Sequence, residues 1–166
     1  MMRTAICPGS FDPITLGHLN IIRRAAQIFD RVVVCVMKNS AKNYMFNTQE
    51  RVELAKKVTN RFDNIEVTTT DMLLAEYAKQ FENPVIVKGL RAVSDFDYEF
   101  QIALINKKMN PELDTLFLTS SEKYTFLSST VVKEMAAYGA DLSEFAPTEI
   151  IGDIMERTNK RRQTQV

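Results

Sequence analysis

The stretch Pro8-Gly9-Ser10-Phe11-Asp12-Pro13-Ile14-Thr15-Leu16-Gly17-His18 follows a short apolar run and leads into a helical pattern. Its glycines let a ligand approach the backbone closely, Ser10 offers a hydroxyl, and a helix N-terminus presents free N–H groups with a partial positive charge. His18, the single histidine, adds a side-chain donor at the same point. The chemistry these residues suit is the binding of a phosphate or another anion. Taken alone, the stretch reads more readily as a surface histidine beside a turn.

A second stretch changes that balance. Thr15-Leu16-Gly17-His18 resembles the T/H-x-G-H signature of the nucleotidyltransferase superfamily, and Leu127-Ser128-Ser129-Thr130-Val131-Val132-Lys133 is similar to that superfamily's second motif. Two motifs in the right order, each after an expected strand, are more specific than either one. The resemblance narrows to the bacterial phosphopantetheine adenylyltransferases and covers the chain from Ala5 to about Ile150. It is carried by Pro8 to Pro13, Lys42, Lys88-Gly89-Leu90-Arg91 with Asp95, Tyr98-Glu99, Pro111-Glu112-Leu113 and the seryl motif.

That resemblance implies transfer of the adenylyl group of ATP to 4'-phosphopantetheine, giving dephospho-coenzyme A and pyrophosphate by direct in-line attack without a covalent intermediate. Negative charge crowds into one place throughout such a transfer, so cations and donors are what the site needs. The acceptor phosphate is already an anion near neutral pH, and no general base has to take a proton from it. On this likeness His18, Lys42, Arg91 and Ser10 are the catalytic candidates. Ser10, Phe11, His18, Gly89, Leu90, Arg91 and Glu99 would meet ATP, with Tyr124, Thr125, Phe126, Leu127, Ser128, Ser129 and Thr130 walling the triphosphate. Ser10, Lys42, Leu73, Leu74, Lys88 and Asn106 would meet the acceptor. Plainer readings stand beside these: Lys42 as a solvated loop lysine, Lys88 and Arg91 as surface partners of Asp95 or Asp97, Ser128 to Thr130 as a helix cap, Tyr98 as a packing or shaping residue and the two leucines as core. Lys88 stands where relatives often carry arginine, which keeps the charge and loses the bidentate fork. Cys7 and Tyr124 stand where relatives often carry an aromatic residue and can carry tryptophan.

One histidine and two separated cysteines give no zinc spacing, so a metal is expected to arrive with the substrate, as Mg²⁺ on ATP. The resemblance further implies a homohexamer and feedback binding of coenzyme A. Rival readings are a small nucleotidyltransferase for glycerol phosphate with CTP or for nicotinamide mononucleotide with ATP, and a nucleotide-binding sensor that keeps the fold without the reaction. The segment from Lys88 to Glu99 and the chain length disfavour the first pair, and the presence of both His18 and Lys42 speaks against the second.

Positioning these residues falls to a chain of 166 residues, within the roughly 100 to 200 expected of one domain. With 45% hydrophobic and 25% charged residues it has the composition of a globular protein. Lys plus Arg and Asp plus Glu number 21 each, so no global field draws it to nucleic acid or an anionic membrane. Short apolar runs read as strands at Thr4 to Cys7, Val32 to Met37, Ile65 to Thr69, Val85 to Lys88 and Leu116 to Thr119. Between and after them, apolar residues recur at three and four over Leu16 to Phe29, Thr48 to Asn60, Met72 to Phe81, Asp95 to Met109, Ser129 to Tyr138 and Pro147 to Arg157. Asp71 and Ser94 are candidate caps, Asn47 with Glu50 makes a capping box, and Gly139 can end the fifth helix.

The alternation predicts a single-domain, doubly wound, parallel five-stranded sheet with helices on both faces, and the resemblance implies the Rossmann-like form of it. Ligands of such folds sit at the carboxyl ends of the strands. Residues 1–159 are expected to form the domain and Lys160 to Val166 a frayed polar tail. Cys7 and Cys35 lie in apolar runs and read as reduced packing thiols. The N-terminal apolar stretch is too short for a signal peptide or a spanning helix, from which a cytoplasmic location is expected.

Overall fold

Five strands, β1 (Thr4–Gly9), β2 (Arg31–Met37), β3 (Ile65–Thr70), β4 (Pro84–Leu90) and β5 (Asp114–Thr119), pair in parallel in the order β3-β2-β1-β4-β5. This is a computed structural model, which describes residues 2–39, 41–91 and 93–164, without the side chains of 93, 94 and 164. The chain steps from β1 outward to β3, then crosses to the other side of β1 to lay down β4. Strand order therefore reverses between β1 and β4, the place where open parallel sheets bind ligands.

β2 shows why the strands form. Val32, Val33, Val34, Cys35 and Val36 are all fully buried, as a β-branched run must be when both faces of the sheet are covered. Val32, Val34 and Val36 face a large cluster under α1 (Leu16–Ile28), α2 (Thr48–Thr59), α5 (Ser129–Ala137) and α6 (Thr148–Thr164). Val33 and Cys35 face a smaller cluster under α3 (Leu74–Ala78). α4 (Val93–Met109) packs on α3, β4 and β5. Its Phe96, Phe100, Leu104 and Ile105 are exposed.

Several boundaries differ from the sequence reading. α3 is five residues long, because the chain expected to continue it to Phe81 closes tighter i to i+3 bonds: Gln80 N–H to Tyr77 O at 3.2 Å and Phe81 N–H to Ala78 O at 3.1 Å. Asp71 does not cap it. That carboxylate pairs with Lys38 at 2.5 Å, and Leu73 occupies the N-cap without a side-chain bond. The expected cap at Ser94 lies outside the described side chains. The last helix runs on to Thr164 instead of ending at Arg157. Within it Lys160 pairs with Glu156 at 2.5 Å, and Arg161 donates to the carbonyl of Tyr44 at 2.6 Å, bonds that hold a segment expected to fray.

The capping box of α2 is present, with Asn47 Oδ1 accepting from Glu50 N–H at 2.9 Å and Glu50 Oε2 from Asn47 N–H at 2.8 Å. Gly139, at φ +74°, follows α5. Among the described residues no helix is long and apolar enough to cross a membrane.

Candidate active site

α1 starts where β1 ends, and its first turn is locked by a capping box of unusual composition. Thr15 Oγ1 accepts from the His18 N–H at 3.2 Å, while His18 Nδ1 accepts from the Thr15 N–H at 3.1 Å. A histidine thus takes the part that Glu or Gln ordinarily plays at the third helical position. Because Nδ1 is an acceptor, the neutral ring carries its proton on Nε2, which remains a donor. Burial, with Arg91, Lys88 and Lys42 nearby, pushes the imidazole down to about 4, so the ring is neutral at pH 7. The ring also meets Phe11 edge-on, with centroids 5.2 Å apart.

Close packing brings the other elements to this point. A Cβ at Gly89 would lie 2.7 Å from Ile21 Cγ1, so only glycine lets α1 rest against the end of β4. A Cβ at Gly9 would lie 2.8 Å from the Phe11 ring, which is folded back over β1 with φ +49° at Phe11.

The result is a cleft of about 520 Å³ over the β1/β4 reversal. Of the residues named from the sequence, Phe11, His18, Lys42, Lys88, Gly89, Arg91, Glu99, Leu127, Ser128, Ser129 and Thr130 line it. Ser10 is joined to it through Lys42, whose Nζ donates to Ser10 Oγ at 3.3 Å. Tyr98, read from the sequence as a packing or shaping residue, is exposed and lines the cleft, which suits shaping and not core packing.

Leu90, Tyr124, Thr125 and Phe126 are not among the described lining residues, although Tyr124 packs beside Gly17 at the cleft floor and Phe126 is 91% exposed. Leu73, Leu74 and Asn106 are not lining residues either. Leu73 is exposed, Leu74 packs on the smaller core cluster, and Asn106 is buried on α4.

The cations of the cleft are held in place. Lys88 pairs with Glu99 at 3.2 Å, and not with Asp95 or Asp97. Arg91 Nε donates to Asp95 at 3.0 Å and its Nη1 to the carbonyl of Leu127 at 3.0 Å, so it ties β4 to the second motif. In that motif Ser128 Oγ caps α5 by accepting from Val131 N–H at 3.2 Å, and Ser129 Oγ donates to Pro13 O at 2.8 Å. Ser129 and Thr130, in the first turn of α5, have N–H groups without a partner inside the helix, as helix starts do, and both residues line the cleft. Burial raises the Cys7 thiol to about 12 against the pull of Lys88, so this lining residue is a poor nucleophile at neutral pH.

Three residues of the frame escaped the sequence reading as individuals. Asp12 is 3% exposed and accepts from Met45 N–H and Phe46 N–H, both at 2.8 Å, and from Lys133 at 3.1 Å. It thus joins the first motif, the loop after β2 and the second motif. Asp12 and Lys133 lie inside stretches that the sequence singles out. Arg51 lies outside any motif, and besides Thr48 Oγ1 at 3.2 Å its hydrogen-bond partners are carbonyls 14 and 41 residues away, a relation that spacing cannot reveal.

Residues 6–135 match the cytidylyltransferase-like family model. A phosphopantetheine adenylyltransferase from Caldanaerobacter subterraneus subsp. tengcongensis is 54% identical over 159 residues, covering 96% of this chain and 99% of that one. Those named phosphopantetheine adenylyltransferase from Clostridium beijerinckii and Clostridium botulinum (strain Hall) are 49% and 45% identical, covering 95% and 98% of this chain and 99% of each relative. A solved chain from Vibrio parahaemolyticus, provisionally assigned as a nicotinate-nucleotide adenylyltransferase, superposes with a TM-score of 0.69. That match covers 95% of this chain and 96% of the other at 18% identity, a likeness of fold alone. With identities of this size over nearly its whole length, the chain belongs to the phosphopantetheine adenylyltransferases, within the cytidylyltransferase-like nucleotidyltransferases.

Proposed function

We propose that this protein joins the AMP part of ATP to 4'-phosphopantetheine, releasing pyrophosphate and dephospho-coenzyme A. The observation that carries the reading is the convergence of Lys42, Lys88, Arg91 and the neutral His18 donor on one cleft where the strand order reverses. An acceptor phosphate oxygen attacks the α-phosphorus of ATP as its bond to the bridging oxygen of pyrophosphate breaks. The pair of electrons leaves with pyrophosphate, and no enzyme atom is bonded along the way.

His18 donates Nε2–H to an α-phosphate oxygen, where charge is greatest midway through transfer. Lys42 and Ser10 steady the incoming phosphate, Lys88 attracts the acceptor, and Arg91 with the first turn of α5 holds the triphosphate. The carboxylates of Asp95 and Glu99 at the cleft are each committed to a cation, and no group of three or more His, Cys, Asp or Glu among the described residues is arranged to hold a metal. These residues fit a Mg²⁺ that keeps phosphate oxygens and water as its ligands. Carried on ATP, such an ion would supply positive charge against the departing pyrophosphate.

The same family resemblance supports a cytoplasmic enzyme, a homohexamer and competition by coenzyme A for the site. The exposed apolar face of α4 supports assembly, since contiguous apolar surface of this kind is ordinarily covered. Purified protein incubated with ATP, Mg²⁺ and either phosphopantetheine, nicotinamide mononucleotide or glycerol phosphate is expected to release pyrophosphate with phosphopantetheine. Equal turnover of another acceptor, full activity in excess chelator, or preference for CTP would overturn this reading.

A further inference from the structure

We propose that Arg51, buried below the cleft and not among its described lining residues, is a positioning residue that sets Lys42 against Ser10 by way of Tyr44. The inference rests on the reading of Lys42 as a working cation of the cleft.

Arg51 is 1% exposed, yet among the described residues no carboxylate pairs with it. Burying a guanidinium this way is costly, and an apolar residue of the same volume would fill the space more favourably if packing were its only task. Its Nη1 instead donates to Ser10 O at 2.5 Å and to Met37 O at 2.9 Å. Ser10 directly follows β1, and Met37 ends β2. One planar group therefore fixes the spacing between the two strand ends that carry Ser10 and the Lys42 loop.

Whereas these bonds leave from its edge, the guanidinium stacks by a face on the ring of Tyr44, 4.0 Å from its centroid. Tyr44 Oη accepts from Asn39 N–H at 2.6 Å, and Asn39 O accepts from Lys42 N–H at 3.0 Å. Lys42 Nζ then reaches Ser10 Oγ at 3.3 Å, and the backbone of that same serine returns to Arg51. These contacts close a ring in which each member fixes the next. A lysine on an open loop would otherwise sample many rotamers, so a ring of this kind reduces what must be ordered in the reacting state.

A double-mutant cycle tests it. In the wild type, Lys42→Ala is expected to lower kcat/KM for phosphopantetheine by about 100-fold, as loss of a charge-stabilising donor does. In an Arg51→Met background the same change should cost only about threefold, since coupled residues are non-additive. The ATP dissociation constant of Arg51→Met should stay within about threefold of wild type. Lys57→Ala, six residues further along α2 and paired with Asp153 instead of any member of the ring, should combine additively with Arg51→Met. Equal losses for Lys42→Ala in both backgrounds would overturn the proposal.

If Arg51→Met does not fold, Tyr44→Leu takes its place: it removes both the stacking surface and the acceptor of Asn39 N–H, and leaves the guanidinium bonds to Ser10 O and Met37 O intact. Additivity there overturns the proposal equally. Amide exchange supplies a readout independent of turnover: Asn39 and Lys42 N–H in Arg51→Met, and Lys42 N–H in Tyr44→Leu, should exchange at least about tenfold faster relative to the β2 core. Uniform acceleration would mean a structural role only. A wild-type protein inactive on phosphopantetheine would overturn the assigned substrate, while the exchange result would still decide the case for Arg51.

Discussion

The N–H of His18 donates to Thr15 Oγ1 at 3.2 Å, and the N–H of Thr15 donates back to His18 Nδ1 at 3.1 Å, so the cap of α1 and the imidazole of the cleft are one reciprocal pair. The spacing of the T-x-G-H motif is therefore the spacing of a capping box, three residues from N-cap to partner. Helix initiation and tautomer selection follow from the same two bonds. Threonine fixes which nitrogen keeps the proton, and the free donor is left for the substrate.

Because His18 is the single histidine, its titration can be followed alone. Burial and the cations Arg91, Lys88 and Lys42 push it to about 4 from an ordinary 6.5. Between those pH values the unfolded chain binds a proton that the native chain does not, so stability falls as pH drops through this window and levels off below it. The effect should be at most about 3 kcal/mol, and His18→Gln should remove this part of the pH dependence. NMR of the ring should give a midpoint near 4 in the free protein. ATP should raise it, because an anion in the cleft favours the protonated ring. A free-protein midpoint near 6.5 would contradict the electrostatics described for the cleft.

On the reaction itself, His18→Ala should lower kcat by roughly a hundredfold or more, about 3 kcal/mol, as other removed oxyanion donors do. ATP binding in the ground state should change far less. His18→Gln, whose amide is a neutral donor of similar reach, should recover part of the loss. Near-normal kcat with a large rise in the ATP dissociation constant would make the residue a ground-state anchor.

The close approach at Gly89 gives a test of how α1 is seated. With Ile21 Cγ1 only 2.7 Å from where a Cβ would stand, Gly89→Ala should cost about 1 to 3 kcal/mol in urea denaturation and also lower turnover. The combination with Ile21→Ala should be less destabilising than the sum of the single changes, because the added methyl then occupies vacated space. Additive losses would mean that the strain is relieved elsewhere.

What could be read from the sequence, and what could not, separates along physical lines. The β-branched runs and the helical spacing encode local geometry, and all five strands and their parallel pairing follow from them, while the strand order does not. Ends were less legible: Asp71 has the right type to cap α3, but its carboxylate is taken by Lys38 from across the loop. The tail from Lys160 looks polar and free in one dimension, yet Arg161 reaches Tyr44 O, 117 residues earlier. Within the cleft the motif residues were visible because their backbone environments are local turns and caps. Arg51 and the partners of Asp12 were not, because their bonds join segments that only the folded sheet brings together.

Lys88 offers the test that separates the two halves of the cleft. It precedes Gly89 near the end of β4 and is held at 3.2 Å by Glu99 from α4, with both side chains about one-fifth to one-quarter exposed. A part-buried pair of this kind keeps the ammonium fixed but leaves its other donors free for an incoming anion. If that anion is the acceptor phosphate, Lys88→Ala should raise the phosphopantetheine KM by about tenfold or more, in line with loss of a charged hydrogen bond, and leave the ATP constant nearly unchanged. Lys88→Arg should keep binding, and the planar fork can grip two phosphate oxygens at once. Glu99→Gln should release the ammonium without removing it, so acceptor binding should weaken less than in Lys88→Ala. Isothermal titration with each substrate, together with steady-state kinetics, distinguishes the outcomes. A change confined to the ATP constant would move Lys88 to the nucleotide side of the cleft, where the family resemblance puts Glu99.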